Sequence, residues 1–164
     1  MIALLQQALQ IRLDDLSDPR IEAFMEEHLV DMRAASPPES VHALDMDHLR
    51  QPCIAFWSAW LPDADGDVLV GTGALKRLDS THAELKSMRT SARHRGQGIA
   101  RQLLNHLLQE ARARGYARLS LETGTQPFFE PARQLYLRHG FVECGPFADY
   151  SLDPCSFFMT RTTA

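Results

Sequence analysis

Apolar residues recur along the 164-residue chain with two different periods, and the changes of period mark its elements. Ile21, Phe24, Met25, Leu29 and Met32 fall at three- and four-residue spacings, which puts them on one face of a helix that begins after Asp18 and ends at Pro37-Pro38. A short strand is predicted before it, over Gln10–Asp14, and a short helical stretch after it, over Leu44–Leu49. From Cys53 the texture becomes β-like. Cys53–Leu61 and Val68–Leu78 are rich in aromatic and branched residues, and Pro62–Asp67 between them has the composition of a turn. His82–Thr90 reads as a third strand of this meander. The clearest helix follows over Gly98–Arg114, where Ile99, Leu103, Leu104, Leu107, Leu108 and Ala111 share a stripe and Gly115 supplies the stop. Then come a strand over Arg118–Thr123, a short helix over Pro131–Arg138, and strands over Phe141–Cys144 and Ser156–Thr162. Three successive strands followed by strand, helix and strand again predict an α+β fold with a mixed sheet. Every break in the pattern is loop-sized, so residues 1–164 are expected to form one domain.

Composition and charge narrow the function. The formal net charge of -4 is unevenly spread: residues 1–85 hold 15 acids and 6 bases, residues 86–118 hold 8 bases and 1 acid, and residues 119–164 hold 5 acids and 3 bases. A basic block inside an acidic chain points to one small anionic ligand at one site, and away from nucleic acid. Cys53, Cys144 and Cys155 have no C-x-x-C spacing, which argues against a disulfide framework or a zinc site and for a reducing, cytoplasmic setting. The histidines show no metal-binding spacing, so no metal is expected. Met1–Leu9 lacks the cationic start and long apolar core of an export signal, and no window approaches the roughly 18 apolar residues of a membrane span.

The basic block centres on Arg93-His94-Arg95-Gly96-Gln97-Gly98-Ile99-Ala100, between a predicted strand and the strongest helix. Glycines there leave backbone N–H groups uncovered, and the helix start adds unpaired donors at the positive end of a dipole. Arg93, Arg95 and Arg101 add charge, so the corner suits linked phosphates. A dinucleotide fingerprint fails at Arg101, where a small residue is needed, and the Gly-Lys-Ser/Thr of a Walker loop is absent.

The run Arg93-x-x-Gly96-x-Gly98-x-Ala100 resembles the acyl-CoA signature of the GNAT superfamily of N-acetyltransferases. Ala132-Arg133-Gln134-Leu135-Tyr136-Leu137-Arg138-His139-Gly140-Phe141 is similar to that family's Ala-x-x-Leu-Tyr-x-x-x-Gly-Phe segment, in the expected order. The resemblance is good over residues 68–145 and implies a mostly antiparallel sheet flanked by helices and splayed at its central strands. It implies acetyl-CoA as cosubstrate, with the backbone of Met88 and Thr90 holding the pantetheine arm and that of Arg95, Gly96, Gln97, Gly98, Ile99 and Ala100 cradling the pyrophosphate. Three positions depart from the family's usual form: Ala92 for Pro, Thr90 for Val, and Phe129 where an Asn often meets the cofactor. The implied reaction is direct transfer of acetyl to a primary amine; the competing reading is a CoA-binding or regulatory module without turnover.

Acetyl transfer needs a neutral amine, a donor for the developing oxyanion and a proton for the departing thiolate. The resemblance makes Tyr136 the candidate acid, although Ala132, Leu135 and Tyr136 also share an apolar stripe that could be plain core. Strict alternation puts Glu84, Lys86, Met88 and Thr90 on one face of their strand, which offers Glu84 as base, with Glu122 as its rival on the neighbouring strand. The oxyanion donor is expected to be the backbone N–H near Met88, and acetylation of Cys144 in a ping-pong scheme lacks a partnering His or Asp. In such a fold the acceptor wall would comprise Phe24, His28, Met32, His42, Trp57, Trp60 and the stretch Phe147–Cys155. Glu26, Glu27, Asp31 and Glu39 beside it fit a cationic acceptor, or simply the solvated face of a helix. The acceptor class, small molecule or peptide amine, stays open, and exposed edges in the last strands are compatible with a homodimer.

Overall fold

The computed structural model describes residues 8–164, so most of the Met1–Leu9 stretch lies outside it. The elements run β1 (Gln10–Leu13), α1 (Pro19–Ala35), α2 (Met46–Leu49), β2 (Ile54–Asp63), β3 (Gly66–Arg77), β4 (His82–Thr90), α3 (Ile99–Ala113), β5 (Arg118–Gly124), α4 (Glu130–Arg138), β6 (Val142–Glu143) and β7 (Ser156–Thr162). Single 3₁₀ turns at Pro38–Ser40, Ala92–His94 and Pro127–Phe129 join them. The strands form one seven-stranded sheet in the order β1-β2-β3-β4-β5-β7-β6. Every pairing is antiparallel except β4 with β5. This is the α+β, mostly antiparallel architecture that the sequence predicts.

Local chemistry explains the boundaries. α1 begins where the Asp18 carboxylate accepts from the Arg20 N–H and Pro19 occupies the first turn, which needs no donor there. The hairpin between β2 and β3 is tighter than the six-residue turn expected: pairing continues to Asp63↔Gly66, and Gly66 takes a φ of 119°. α3 ends at Gly115, φ 83°, the left-handed conformation that lets the chain leave a helix.

Both faces of the sheet are covered. α3 lays Leu104, Leu107, Leu108 and Ala111 on one face against Trp57, Leu75, Leu85, Leu119 and Leu121. α1 and α2 lay Ile21, Phe24, Met25, Met46 and Leu49 on the other, against Phe56, Trp60 and Ala74. Trp57 and Trp60 are therefore core residues and not part of an acceptor wall. Trp60 donates its indole N–H to Ser58 Oγ at 2.8 Å and is covered by the Arg12 and Arg20 guanidinium groups, while Trp57 lies under α3 with Arg114 over its ring. Alternating burial on a central strand reads the same in sequence whichever layer covers it.

β3 carries Gly73 where α3 comes closest: a Cβ there would sit 2.5 Å from Leu107 Cδ1 and 2.9 Å from Met88 Sδ. Opposite Gly73 the β3–β4 register slips between Thr72 and Ala74, and Ser87 takes a positive φ of 57°. This is a β-bulge, and it breaks the alternation expected of β4. Met88 packs with Leu107 on the α3 side, whereas Arg89 joins Lys86 on the α1 side.

Candidate active site

The parallel pairing of β4 and β5 covers only His82↔Arg118, Ala83↔Leu119 and Glu84↔Ser120. Beyond it β4 continues to Thr90 and β5 to Gly124 with no pairing between them, so the two strands splay and leave the facing edge of β4 open. The opening is a cleft of about 1040 Å³, running from the N-terminus of α3 past Tyr136 and Glu122 to α1 and the 40–43 segment.

At one end Gly96 and Gly98 have φ of 77° and 80°, and a Cβ on either would meet nothing within 4 Å. Gly98 caps α3 with no side-chain hydrogen bond, and the first turn contains no acid. The first N–H groups of a fifteen-residue helix thus stand without a side-chain acceptor among the described residues, beside Arg95 and Arg101, a fit for phosphate oxygens. Arg95, Gly96, Gly98, Ile99 and Ala100 line the cleft, while Gln97 lines a smaller pocket with Arg93 and His94 on the far side of the turn. Met88 and Thr90 line the cleft from the open edge of β4. Phe129, on the turn before α4, is buried against Gly124 and contributes an apolar ring where a polar side chain could have reached the cofactor.

In the middle, Tyr136 on α4 and Glu122 on β5 face the same cleft. Tyr136 packs edge-on against Phe141, and burial, with Glu122 nearby, raises its phenol above the ordinary value. Burial also pushes Glu122 up to about 8; Lys86 opposes this, while Glu84 and Asp153 add to it. Glu84 is placed differently. It is 2% exposed, does not line the cleft, and accepts from Tyr150 Oη at 2.5 Å and Lys86 Nζ at 3.2 Å, while Lys86 also donates to Tyr150 at 3.0 Å. Its carboxylate is committed to holding Lys86 and Tyr150.

At the other end the wall comes from His28 and Met32 of α1, from Ser40 to Ala43, and from Tyr150. Tyr150 is fixed by Glu84 and by edge contacts to His42 and Phe147. Burial, with Arg89 beside it, pushes His28 down to about 4, so its ring is neutral near pH 7. Phe24 lies in the core beneath Arg89 and does not line the cleft. Neither do Glu26, Glu27, Asp31 or Glu39. Glu26, Glu27 and Glu39 are exposed, and Asp31 is bonded to Arg89 at 2.7 Å, so of the two readings of these acids the solvated face fits and none of them lines the cleft for a cationic acceptor. Sequence reasoning missed the placement of Arg89 and Ser87, of which only Arg89 left a trace, as part of the basic block; Tyr150 lies in the stretch expected at the acceptor wall, but its bond to Glu84 has no signal in the sequence.

Comparison with known proteins places the chain in a family. The family described as Acetyltransferase (GNAT) family matches residues 21–141. The uncharacterized N-acetyltransferase YsnE of Bacillus subtilis (strain 168) is 54% identical over 93% of this chain and 99% of its own. The uncharacterized N-acetyltransferase YedL of Escherichia coli (strain K12) is 51% identical over 93% of each chain. Among solved structures, a Klebsiella pneumoniae protein described as an acyl-CoA N-acyltransferase superposes with a TM-score of 0.75 at 25% identity, covering 95% of this chain and 98% of its own. With two close relatives along nearly its whole length and a family match over its central sheet, the chain belongs to the GNAT acetyltransferase family and is an N-acetyltransferase.

Proposed function

We propose that the protein moves an acetyl group from acetyl-CoA directly to a primary amine, with both substrates in the one cleft. The observation that carries this reading is the pairing of Glu122 and Tyr136 in a cleft whose far end is an uncapped helix start. The backbone from Arg95 to Ala100 would hold the pyrophosphate, and the open edge of β4 at Met88 and Thr90 would take the pantetheine arm as it would an added strand. Acetyl-CoA, when bound, supplies an activated thioester.

This chain's residues do the rest. Glu122, ionised above about pH 8, takes the proton that the acceptor ammonium must lose. The Met88 N–H donates to the oxygen that gains charge; Tyr136, whose raised pKa keeps its proton in place, gives that proton to the sulfur as the C–S bond breaks, and the second proton lost by the nitrogen as it becomes an amide restores the phenol. Glu84 acts through Lys86 and Tyr150 as a positioning residue.

Two measurements test the reading. Acetyl-CoA should raise the melting temperature. Tyr136→Phe should keep that shift while losing about 100-fold in kcat for thiol release. Unchanged turnover would remove the acid role, and a melting shift without turnover on any amine would favour a non-catalytic CoA-binding module.

A further inference from the structure

Several polar side chains in the acceptor half of the cleft already have partners in the protein. Tyr150 Oη donates to Glu84, Lys86 Nζ donates to Glu84 and Tyr150, and Ser40 Oγ donates to Asp153. His28 has none. It lines the cleft from α1 and is only 7% exposed, yet neither ring nitrogen has a hydrogen-bond partner among the described residues. Ser87 Oγ and Arg89 Nε are unpartnered too, but they are shut off from any incoming molecule, and the His28 nitrogens are not. The imidazole is thus a hydrogen-bonding group that a bound acceptor can reach and the protein leaves free.

Its surroundings decide what the missing partner is. Unpaired polar groups at this depth are rare because they lose most of their water without replacement, and a ligand that supplies the partner removes that cost. Burial, with Arg89 beside it, keeps the ring uncharged near pH 7, so it offers one N–H and one lone pair and no charge. A second ammonium on the acceptor would find no carboxylate there: Lys86 lines the same half, Arg89 already holds Asp31 and Glu27, and the cleft's one acid, Glu122, is where the amine reacts. An anion would meet a neutral ring with Asp31 close by. A hydroxyl or a carboxamide, which both donates and accepts, matches a neutral imidazole. We infer that His28 is a specificity-determining residue, bonding an uncharged polar group, a hydroxyl or an amide, that the acceptor carries besides its reacting amine. This rests on the amine-acetyltransferase reading and narrows it to amino alcohols and amino amides.

The test uses short primary amines that differ only in the group at the far end: hydroxyl, carboxamide, methyl, ammonium or carboxylate. Thiol release from acetyl-CoA is the readout, with kcat/KM referred to the unprotonated amine. The better of the hydroxyl and carboxamide arms, which also tells those two apart, should exceed the other three by about tenfold or more. In His28→Leu its advantage over the methyl arm should fall below about threefold, with KM for acetyl-CoA unchanged. His28→Gln keeps a donor and an acceptor and should hold the advantage above about threefold. A histidine that only supports α1 would depress every arm alike in His28→Leu and leave the ratios intact. A wild-type enzyme that acetylates the methyl arm or a charged arm as well as the neutral polar ones overturns the inference whether or not the variants fold, and leaves the amine reading standing. Should no amine turn over, the amine reading fails first. The inference is then decided by melting shifts of the CoA complex with the N-acetylated hydroxyl and carboxamide arms against the N-acetylated methyl arm, where equal shifts, or none, overturn it.

Discussion

Glu122 and Glu84 differ by environment and not by residue type, and that difference is why the proposed proton exchange with substrate is given to Glu122. Glu84 is wholly enclosed and accepts two hydrogen bonds; Glu122 lines the cleft with its proton held by burial. The consequence for stability has a definite sign. Between its ordinary value of 4.5 and about 8, folded Glu122 keeps a proton that the unfolded chain has released. Its contribution is thus fully present below about pH 4.5 and is lost as pH rises through about 8. Glu122→Gln removes this dependence. The variant should gain on the wild type by about 1–3 kcal/mol between about pH 5 and about pH 9. Thermal unfolding at both pH values checks it, and a difference independent of pH would mean that Glu122 is not held protonated. The same substitution should abolish the rise of kcat/KM through about pH 8. The place of Tyr136 in the cleft is readable from its motif, but the different surroundings of the two carboxylates are not, because they depend on Tyr150, 66 residues away from Glu84 in a loop with no periodicity.

At the scale of elements, α3 and the turn before it were legible in full, since a strong apolar stripe, two glycines and a clean stop all agree. The bulge in β4 was not. It arises because Gly73 lets Leu107 and Met88 press onto β3, a contact between residues distant in sequence, and it turns Arg89 toward α1. The phosphate corner makes its own prediction. Gly98→Ala has room for its methyl, so its cost is conformational: a left-handed alanine loses roughly 1 kcal/mol, a fall of about 2–4 °C in Tm for a chain of this size. Because the N–H groups of the first turn shift with it, KM for acetyl-CoA should rise about tenfold while KM for the acceptor holds. Steady-state kinetics against each substrate separates the two, and an equal rise in both would place the turn outside the cofactor site.

Across the whole molecule, distant segments are gathered on one cleft: Ser40 donates to Asp153 at 2.6 Å, and Tyr150 meets Glu84 and Lys86, so the loop before β7 ties the N-terminal helices to the centre of the sheet. The first of those ties spans more than a hundred residues, so the acceptor half is assembled from segments whose meeting no local pattern announces, and Phe24, Trp57 and Trp60 fall in the core instead; the expected cofactor half comes from contiguous chain, where a motif can announce it. The same assembly bears on the order of chemistry. A ping-pong scheme needs a nucleophile in the cleft to hold acetyl after CoA leaves, and Cys53, Cys144 and Cys155 all lie outside its lining. Burial raises the Cys144 thiol further, which leaves less thiolate to attack. In the proposed direct transfer, acetyl-CoA at one end and amine at the other are present together. Initial velocities measured against one substrate at several fixed levels of the other should give intersecting reciprocal lines, and Cys144→Ser should keep kcat within about twofold. Parallel lines, or loss of activity in Cys144→Ser with CoA binding retained, would replace direct transfer with an acetyl-enzyme.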